Sequence, residues 1–408
     1  MKILRVIATL DPRHGGPAAG LRAITPELER LGHETTFVSV DAPDQPVARD
    51  ISARVIPLGP PHGGYGYSPK LKPWLREHAR EYDAVFVHGL WQYHGRAVRQ
   101  ALRGTGVPYF VFPHGMLDPW FRRTYPLKHA KKWIYWQLIE RKVLRDAAAV
   151  FFTCNEERQL ARESFSPYAC NEKVVAYGTA GPSGDAEAQR NAWQTSSPQL
   201  GRRPFWIFLG RIHPKKGVDL LLRGYGDHAR AYPEHLPALV LAGPCSDERY
   251  RGELEELVKN LPPECSVMWA GMLEGEKKWG ALRTAEAFVL PSHQENFGIA
   301  VVESLAVGTP VLISRKVNIW EEIESEGAGF ADTDNVDGTR RLLSRWRDCS
   351  AAHRQSMRNA ATQLFSQRYE IGRVAHSLVQ SITPFLRSNV RDKSHNSVPP
   401  QETAERLR

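Results

Sequence analysis

The feature that most constrains this chain is a repeated alternation of short apolar runs with stretches of helical spacing. In the first half the runs are Ile3–Leu10, Thr36–Val40, Arg54–Leu58, Ala84–His88, Tyr109–Phe112 and Ala148–Phe152. In the second half they are Phe205–Leu209, Ala238–Ala242, Val267–Trp269, Ala287–Leu290 and Val311–Ser314. Runs rich in β-branched and aromatic residues, interleaved with helices, build parallel sheets that are buried on both faces. At 408 residues the chain exceeds one ordinary core, so the pattern predicts two doubly wound α/β domains. The first is expected over 1–183. From Ser183 to Arg203 the chain is rich in Ser, Gly, Gln and Arg without apolar periodicity, and 184–203 is read as a linker. The second domain is expected over 204–365, followed by a helix over 366–386 crossing back to the first. Residues 387–408 are polar and are expected to be a disordered tail.

Composition excludes several classes. No run approaches the eighteen or so apolar residues that a membrane-spanning helix needs. Met1–Leu10 is interrupted by Arg5 and followed by Asp11-Pro12, which fits a buried first strand better than a signal peptide. A cytoplasmic protein is therefore expected. The five cysteines are scattered and form no C-x-x-C pair, so neither a zinc site nor a disulfide framework is signalled. A net charge of +9 points to an anionic partner: nucleic acid, an anionic membrane face or a phosphorylated substrate.

Parallel sheets bind ligands at the C-terminal ends of their strands, so the residues after each run carry the functional reading. After the first run comes His14-Gly15-Gly16-Pro17, where paired glycines ahead of a helix suit an anion; a simple turn fits equally well. It is neither G-x-G-x-x-G nor a Walker loop. After Phe205–Leu209 comes Gly210-Arg211-Ile212-His213-Pro214-Lys215-Lys216-Gly217. Arginine grips two phosphate oxygens at once and lysine supplies a compact charge, so this loop suits a diphosphate. After Ala287–Leu290 comes a segment with Glu295, Asn296, Phe297 and Gly298, then Glu303 inside an apolar helix. Carboxylates there would accept hydrogen bonds from hydroxyls, and the helix-start amides would meet an anion.

Gly210-Arg211…Lys216-Gly217, together with Glu295-Asn296-Phe297-Gly298…Glu303, resembles the family 4 ("group 1") retaining glycosyltransferases of the GT-B fold, whose Glu-x7-Glu motif Glu295 and Glu303 match. His88-Gly89-Leu90-Trp91 and Pro113-His114-Gly115-Met116-Leu117-Asp118-Pro119-Trp120 resemble the subset found in bacterial exopolysaccharide and O-antigen assembly. The similarity runs to about residue 385. It implies two facing Rossmann-like domains with an interdomain cleft. Arg211 and Lys216 would neutralise the leaving diphosphate of a UDP- or GDP-sugar, and Glu303 would hold the ribose hydroxyls. Glu295 and the amides of Asn296, Phe297 and Gly298 would hold the transferred sugar, His114 would face it from the other domain, and Gly15 and Gly16 would back the phosphates. Glu286 departs from the aspartate usual before this strand, which bears on packing.

Cleaving a glycosyl–phosphate bond builds negative charge on the diphosphate and positive charge on the sugar, and fixed groups of opposite character lower that barrier. No metal or other cofactor is expected if Arg211 and Lys216 neutralise the diphosphate. Asp332-x-Asp334 is read as a helix N-cap rather than a metal site. Between Trp120 and Val143 cations mix with Trp and Tyr; this suits an anionic membrane face, or a helix packed on its own sheet with a solvated basic side. The favoured reading is a transferase extending a glycan acceptor, lipid-linked by resemblance, at the inner membrane face. The rivals are a sugar-nucleotide epimerase on the same fold and a basic nucleic-acid-binding protein. The latter lacks a concentrated basic stripe or a recognised module, so no nucleic-acid partner is expected.

Overall fold

The computed structural model describes residues 1–11, 16–45, 51–120, 122 and 126–386. The residues read as a tail, 387–408, lie outside this range, as does Gly15. Two parallel sheets form. The first comprises β1 (Lys2–Ile7), β2 (Glu34–Ser39), β3 (Arg54–Pro57), β4 (Ala84–His88), β5 (Tyr109–Phe112), β6 (Ala149–Phe152) and β7 (Glu172–Val174), in the order β3-β2-β1-β4-β5-β6-β7. The second comprises β8 (Phe205–Leu209), β9 (Ala238–Ala242), β10 (Val267–Gly271), β11 (Ala287–Leu290), β12 (Val311–Ser314) and β13 (Gly329–Asp332), in the order β10-β9-β8-β11-β12-β13. The central strands β4, β8, β9 and β11 are buried throughout, as unbroken apolar runs require. Strand order reverses beside β1 in the first sheet and beside β8 in the second. Ligand crevices form at such switch points, so the β1–β4 and β8–β11 strand ends are the candidate places for a site.

β7 was not anticipated. Its Glu-Lys-Val sequence is polar because it is an edge strand, half-buried to exposed along its length. β1 ends at Ile7 rather than Leu10, since Leu10 leaves the ladder, its N–H donating to Asp41 Oδ2 at 2.9 Å.

The stretch read as a linker, 184–203, holds a helix, Ala186–Ser196, capped by Asp185, whose carboxylate accepts the Ala188 N–H at 2.7 Å. Gln189 and Trp193 are buried one helical turn apart. Trp193 packs on Phe205, and Gln189 accepts from Arg283 Nε at 2.7 Å. Gly280 lies so close that a Cβ would stand 1.9 Å from the Gln189 carbonyl oxygen. The helix thus belongs to the second sheet's packing. Its polar composition hid it because only one narrow stripe is buried.

The chain passes between the sheets twice, and the two passages run side by side. Thr179 forms a parallel bridge with Glu370, its N–H donating to the Tyr369 carbonyl at 3.1 Å. Up to Tyr369 the late helices pack in the second core. From Ile371 the helix Ile371–Ile382 lays Ile371, Val374, Ala375, Leu378 and Ile382 against Ile3, Ile24, Leu28 and Phe86 of the first. Glu286 accepts from Trp346 Nε1 at 3.2 Å and lies 3.6 Å from Arg354, tying β11 to the helices behind it.

Candidate active site

The loop after β8 makes a 3-10 turn, Pro214–Lys216, whose start is capped by His213 Nδ1 accepting the Lys215 N–H at 3.1 Å. Gly217 follows at φ +67°, where a Cβ would stand 2.2 Å from the Pro291 carbonyl oxygen. Only glycine lets this loop lie on the one after β11. Ser292 Oγ and the His293 N–H both donate to the Lys215 carbonyl at 2.9 Å, stapling the two loops together. Lys216 and Glu295 are thereby brought into a half-buried ion pair. Burial, with Lys215 and Arg211 nearby, lowers the Lys216 ammonium to about 7; contact with the Glu295 carboxylate works the other way. Arg211 is exposed at the same mouth and makes no ion pair among the described residues.

Glu295 is fixed through its backbone: its N–H donates to Lys316 O at 2.8 Å and its carbonyl accepts from the Asn318 N–H at 3.0 Å. Gly298, at φ +77°, opens the helix Ile299–Ala306, which carries Glu303. Glu303 pairs with Lys278 at 2.7 Å. Lys278 went unnoticed in the sequence because it sits mid-helix in Gly275–Thr284, away from any strand end. Beside that helix, past the end of β10, an open cleft of about 530 Å³ is lined by Ala192, Met272, Glu274, Glu276 and Lys277.

The first domain closes over these loops. His114 follows β5 with φ +52°, and its ring meets His88. Burial and the Arg5 cation lower His114 to about 3. Gly115 packs so tightly on the second domain that a Cβ would stand 2.8 Å from the Asn296 side chain. The Gly115 N–H donates to Glu157 Oε1 at 2.6 Å, while Glu157 Oε2 accepts from Thr153 N–H and Oγ1, each at 2.7 Å. Asn296 Nδ2 reaches Thr153 Oγ1 at 3.3 Å, and Gln294 Nε2 donates to Asp118 Oδ2 at 2.9 Å. Lys215 Nζ lies 5.4 Å from the Trp120 ring centre. Phe297 is buried between Tyr177 and Tyr369, so its side chain joins the domains. Gly16 begins the helix Gly16–Arg30, and a Cβ there would stand 3.3 Å from Ile299 Cδ1. The starts of two helices, one from each domain, therefore face each other across the cleft. Glu157, Thr153 and Gln294 were missed in the sequence. The signal for Glu157 was faint: an acidic residue following a strand end, in Thr153-Cys154-Asn155-Glu156-Glu157.

Asp332 and Asp334 do not cap the next helix; that role falls to Asn335, whose side chain accepts the Gly338 N–H at 2.8 Å. Asp332 is gripped by Arg341 and Asp334 by His293, at 2.6 and 3.0 Å.

Two facing parallel sheets, with cations and carboxylates at one switch point and a histidine loop at the other, define the GT-B class of two-domain transferases. Residues 15–178 match the family described as Glycosyl transferase 4-like domain, and residues 189–364 match Glycosyl transferases group 1. The chain belongs to the group 1 glycosyltransferases and is an enzyme of that class. Over 351 residues it is 25% identical to mannosylfructose-phosphate synthase of Agrobacterium fabrum, covering 78% of this chain and 75% of that one. Its fold matches sucrose-phosphate synthase of Thermosynechococcus elongatus with TM-score 0.70 at 18% identity, covering 93% of this chain and 98% of that one. HepE of Anabaena, solved in complex with UDP, matches with TM-score 0.71 at 18% identity, over 94% of this chain and 100% of that one.

Proposed function

We propose that the enzyme moves a hexose, with retention and without a metal, from a UDP- or GDP-sugar to a glycan acceptor in polysaccharide biosynthesis. The observation that carries this reading is the Lys216–Glu295 pair with Arg211 beside it at one strand-end crevice, capped from the other domain by the His114 loop. The UDP complex of HepE supports a nucleotide-sugar donor by analogy of fold. On donor entry Lys216 exchanges Glu295 for diphosphate oxygens, and Glu295 turns to the sugar hydroxyls. The bond between the anomeric carbon and the diphosphate breaks while the acceptor hydroxyl oxygen forms the new one and passes its proton to the departing diphosphate oxygen. Arg211 and Lys216 then face the growing negative charge, and polar groups face the cationic sugar.

The acceptor is read as lipid-linked and the enzyme as peripheral at the cytoplasmic membrane face. Support comes from the helix Pro126–Tyr135 and the π turn Trp136–Glu140, which leave Leu127 87%, Trp133 49%, Ile134 57% and Leu138 62% exposed. Exposed Arg122 and Lys131 flank this face, the pattern of a helix lying on anionic lipid. Among the described residues no helix is long and apolar enough to cross a membrane.

The test is to incubate the purified protein with radiolabelled UDP- and GDP-sugars and membrane extract. Label in a lipid-extractable glycan, with the donor's anomeric configuration kept and activity unaffected by EDTA, is the expected result. Release of free sugar or an altered nucleotide sugar without acceptor would instead favour the epimerase. Loss of activity in EDTA with recovery on magnesium or manganese would overturn metal independence.

A further inference from the structure

Arg5 is a buried cation in the middle of β1, 1% exposed, and its Nε and Nη2 have no hydrogen-bond partner among the described residues. A buried charge without a counter-ion is costly and adds nothing to stability. Among the described residues, its one side-chain hydrogen bond runs from Nη1 to His88 Nε2 at 3.2 Å. From there a line of ring nitrogens leads to the cleft, because His88 Nδ1 lies 3.1 Å from His114 Nε2.

We propose that Arg5 and His88 are positioning residues that hold His114 as a neutral imidazole with its proton on Nδ1, presenting an N–H donor to the transferred sugar. This rests on the reading of His114 as the sugar-facing group. The polarity follows from one end of the line. A guanidinium has five N–H donors and no acceptor, so His88 Nε2 must accept and carries no proton. His88 is buried and its pKa lies well below the ordinary histidine value, through burial and then Arg5, His114 and His94, so it is neutral. Its single proton therefore sits on Nδ1 and is donated to His114 Nε2. His114 is also neutral, which leaves its proton on Nδ1, where no hydrogen bond to the described residues forms.

The frame around this line is rigid. His94 Nε2 lies 2.9 Å from the His88 carbonyl, and Glu157 holds the Gly115 N–H next to His114. The chemistry benefits from neutrality as well as from orientation. An imidazolium would repel a sugar gaining positive charge, whereas a neutral N–H can hold one of its oxygens throughout. Arg5 penalises the imidazolium by its own charge and selects the tautomer by its lack of lone pairs.

The test uses the full chain with 15N-labelled histidine, in which two-bond proton–nitrogen correlations separate protonated from bare ring nitrogens. Signals are assigned by their loss in His88→Phe and His114→Asn. Both rings are expected in the Nδ1–H form. Arg5→Met should give mixed tautomers at His114 and lower kcat by roughly 10–100-fold, the usual cost of losing an outer partner that orients a ring, with donor KM little changed. Its Tm should not fall, and Arg5→Lys should restore both tautomer and rate in part. His114→Asn, whose amide N–H replaces Nδ1–H, should retain more transfer than His114→Gln, whose amide stands nearer Nε2. An Nε2–H signal at His114 in the wild type, or Arg5→Met with unchanged tautomers and a lowered Tm, would overturn the proposal. If no protein, wild type included, transfers sugar, the functional reading fails while the tautomer measurement still decides this one.

Discussion

At the scale of single residues, the Lys216–Glu295 pair determines how the cleft responds to charge. Its two members are both wanted by a donor, the ammonium by phosphate and the carboxylate by hydroxyls, and each holds the other in place. Arg211→Ala and Lys216→Ala should each lower turnover by more than about tenfold, which is on the order of 1.4 kcal/mol of transition-state stabilisation, with the fold intact by circular dichroism. Unchanged turnover in both would remove the diphosphate assignment. The depressed Lys216 pKa of about 7 adds a pH dependence. A lysine with a lowered pKa is charged below that value and loses its charge as pH rises through it. Donor binding should therefore weaken from pH 6 to pH 9 in the wild type, read by isothermal titration with UDP. Lys216→Arg, always charged, should flatten the slope; an equal slope in both proteins would place the titrating group elsewhere.

Elements carry the second level of argument. The segment around Trp120–Val143 could be read from its residues as either a membrane-seeking or a self-packed helix, and the structure gives it one inward-packed side and one outward apolar side. Trp136 turns inward, 1% exposed and stacked on Phe165, while Leu127, Ile134 and Leu138 face out. Lys132 is half-buried with Nζ 4.8 Å from the Trp91 ring centre, so it serves the first domain's packing rather than an outer surface. Leu127→Ser, Ile134→Ser and Leu138→Ser together should abolish flotation with vesicles rich in anionic lipid and leave transfer to a soluble acceptor analogue intact. A buried leucine or isoleucine is worth about 1.5–3 kcal/mol, so three such residues are enough to read clearly. Flotation of the triple variant equal to wild type would make the face irrelevant to lipid. The helix Ala186–Ser196 gives a plainer prediction: Trp193→Ala should destabilise the second domain by about 3–5 kcal/mol, as large core truncations do, and a denaturation midpoint unchanged within error would contradict its burial.

For the whole molecule, the question is how the halves move. Among the described residues, contacts across the cleft include Gln294–Asp118 and Asn296–Thr153, with Lys215 over Trp120 and Phe297 against Tyr177. The two chain passages, joined by the Thr179–Glu370 bridge, form a narrow connection, the kind of place where hinge motion concentrates. Donor groups bridging the two halves would add to these contacts and favour the closed arrangement over more open ones. Saturating UDP should therefore reduce the radius of gyration measured by small-angle scattering. His114→Ala should still bind UDP, since the phosphate grip lies in the other domain, but lose most transfer. Normal transfer by that variant would displace the active cleft from between the domains.

The local sequence alone determined the central strands, because an unbroken apolar run has nowhere to go but the middle of a covered sheet. It also determined which loops matter, because in a parallel sheet the residues after a strand stand at the ligand crevice. Arg211, Lys216, Glu295 and Glu303 stand out as candidates for that reason, and His114 through its resemblance to a family motif. What it could not contain were partners fixed by distance in space. Lys278 and Glu157 acquire meaning only when helices and loops far apart in the chain are folded onto Glu303 and Gly115. The helix Ala186–Ser196 escaped notice because its burial depends on Gly280 allowing close approach. Arg5 shows the same limit most sharply. In sequence it is an interruption in an apolar run, and only the parallel pairing of β1 with β4, followed by the turn of the His114 loop, sets its guanidinium at the head of a line of imidazoles. Tertiary structure decided that, since a proton's position on a ring depends on which lone pairs the fold brings within reach.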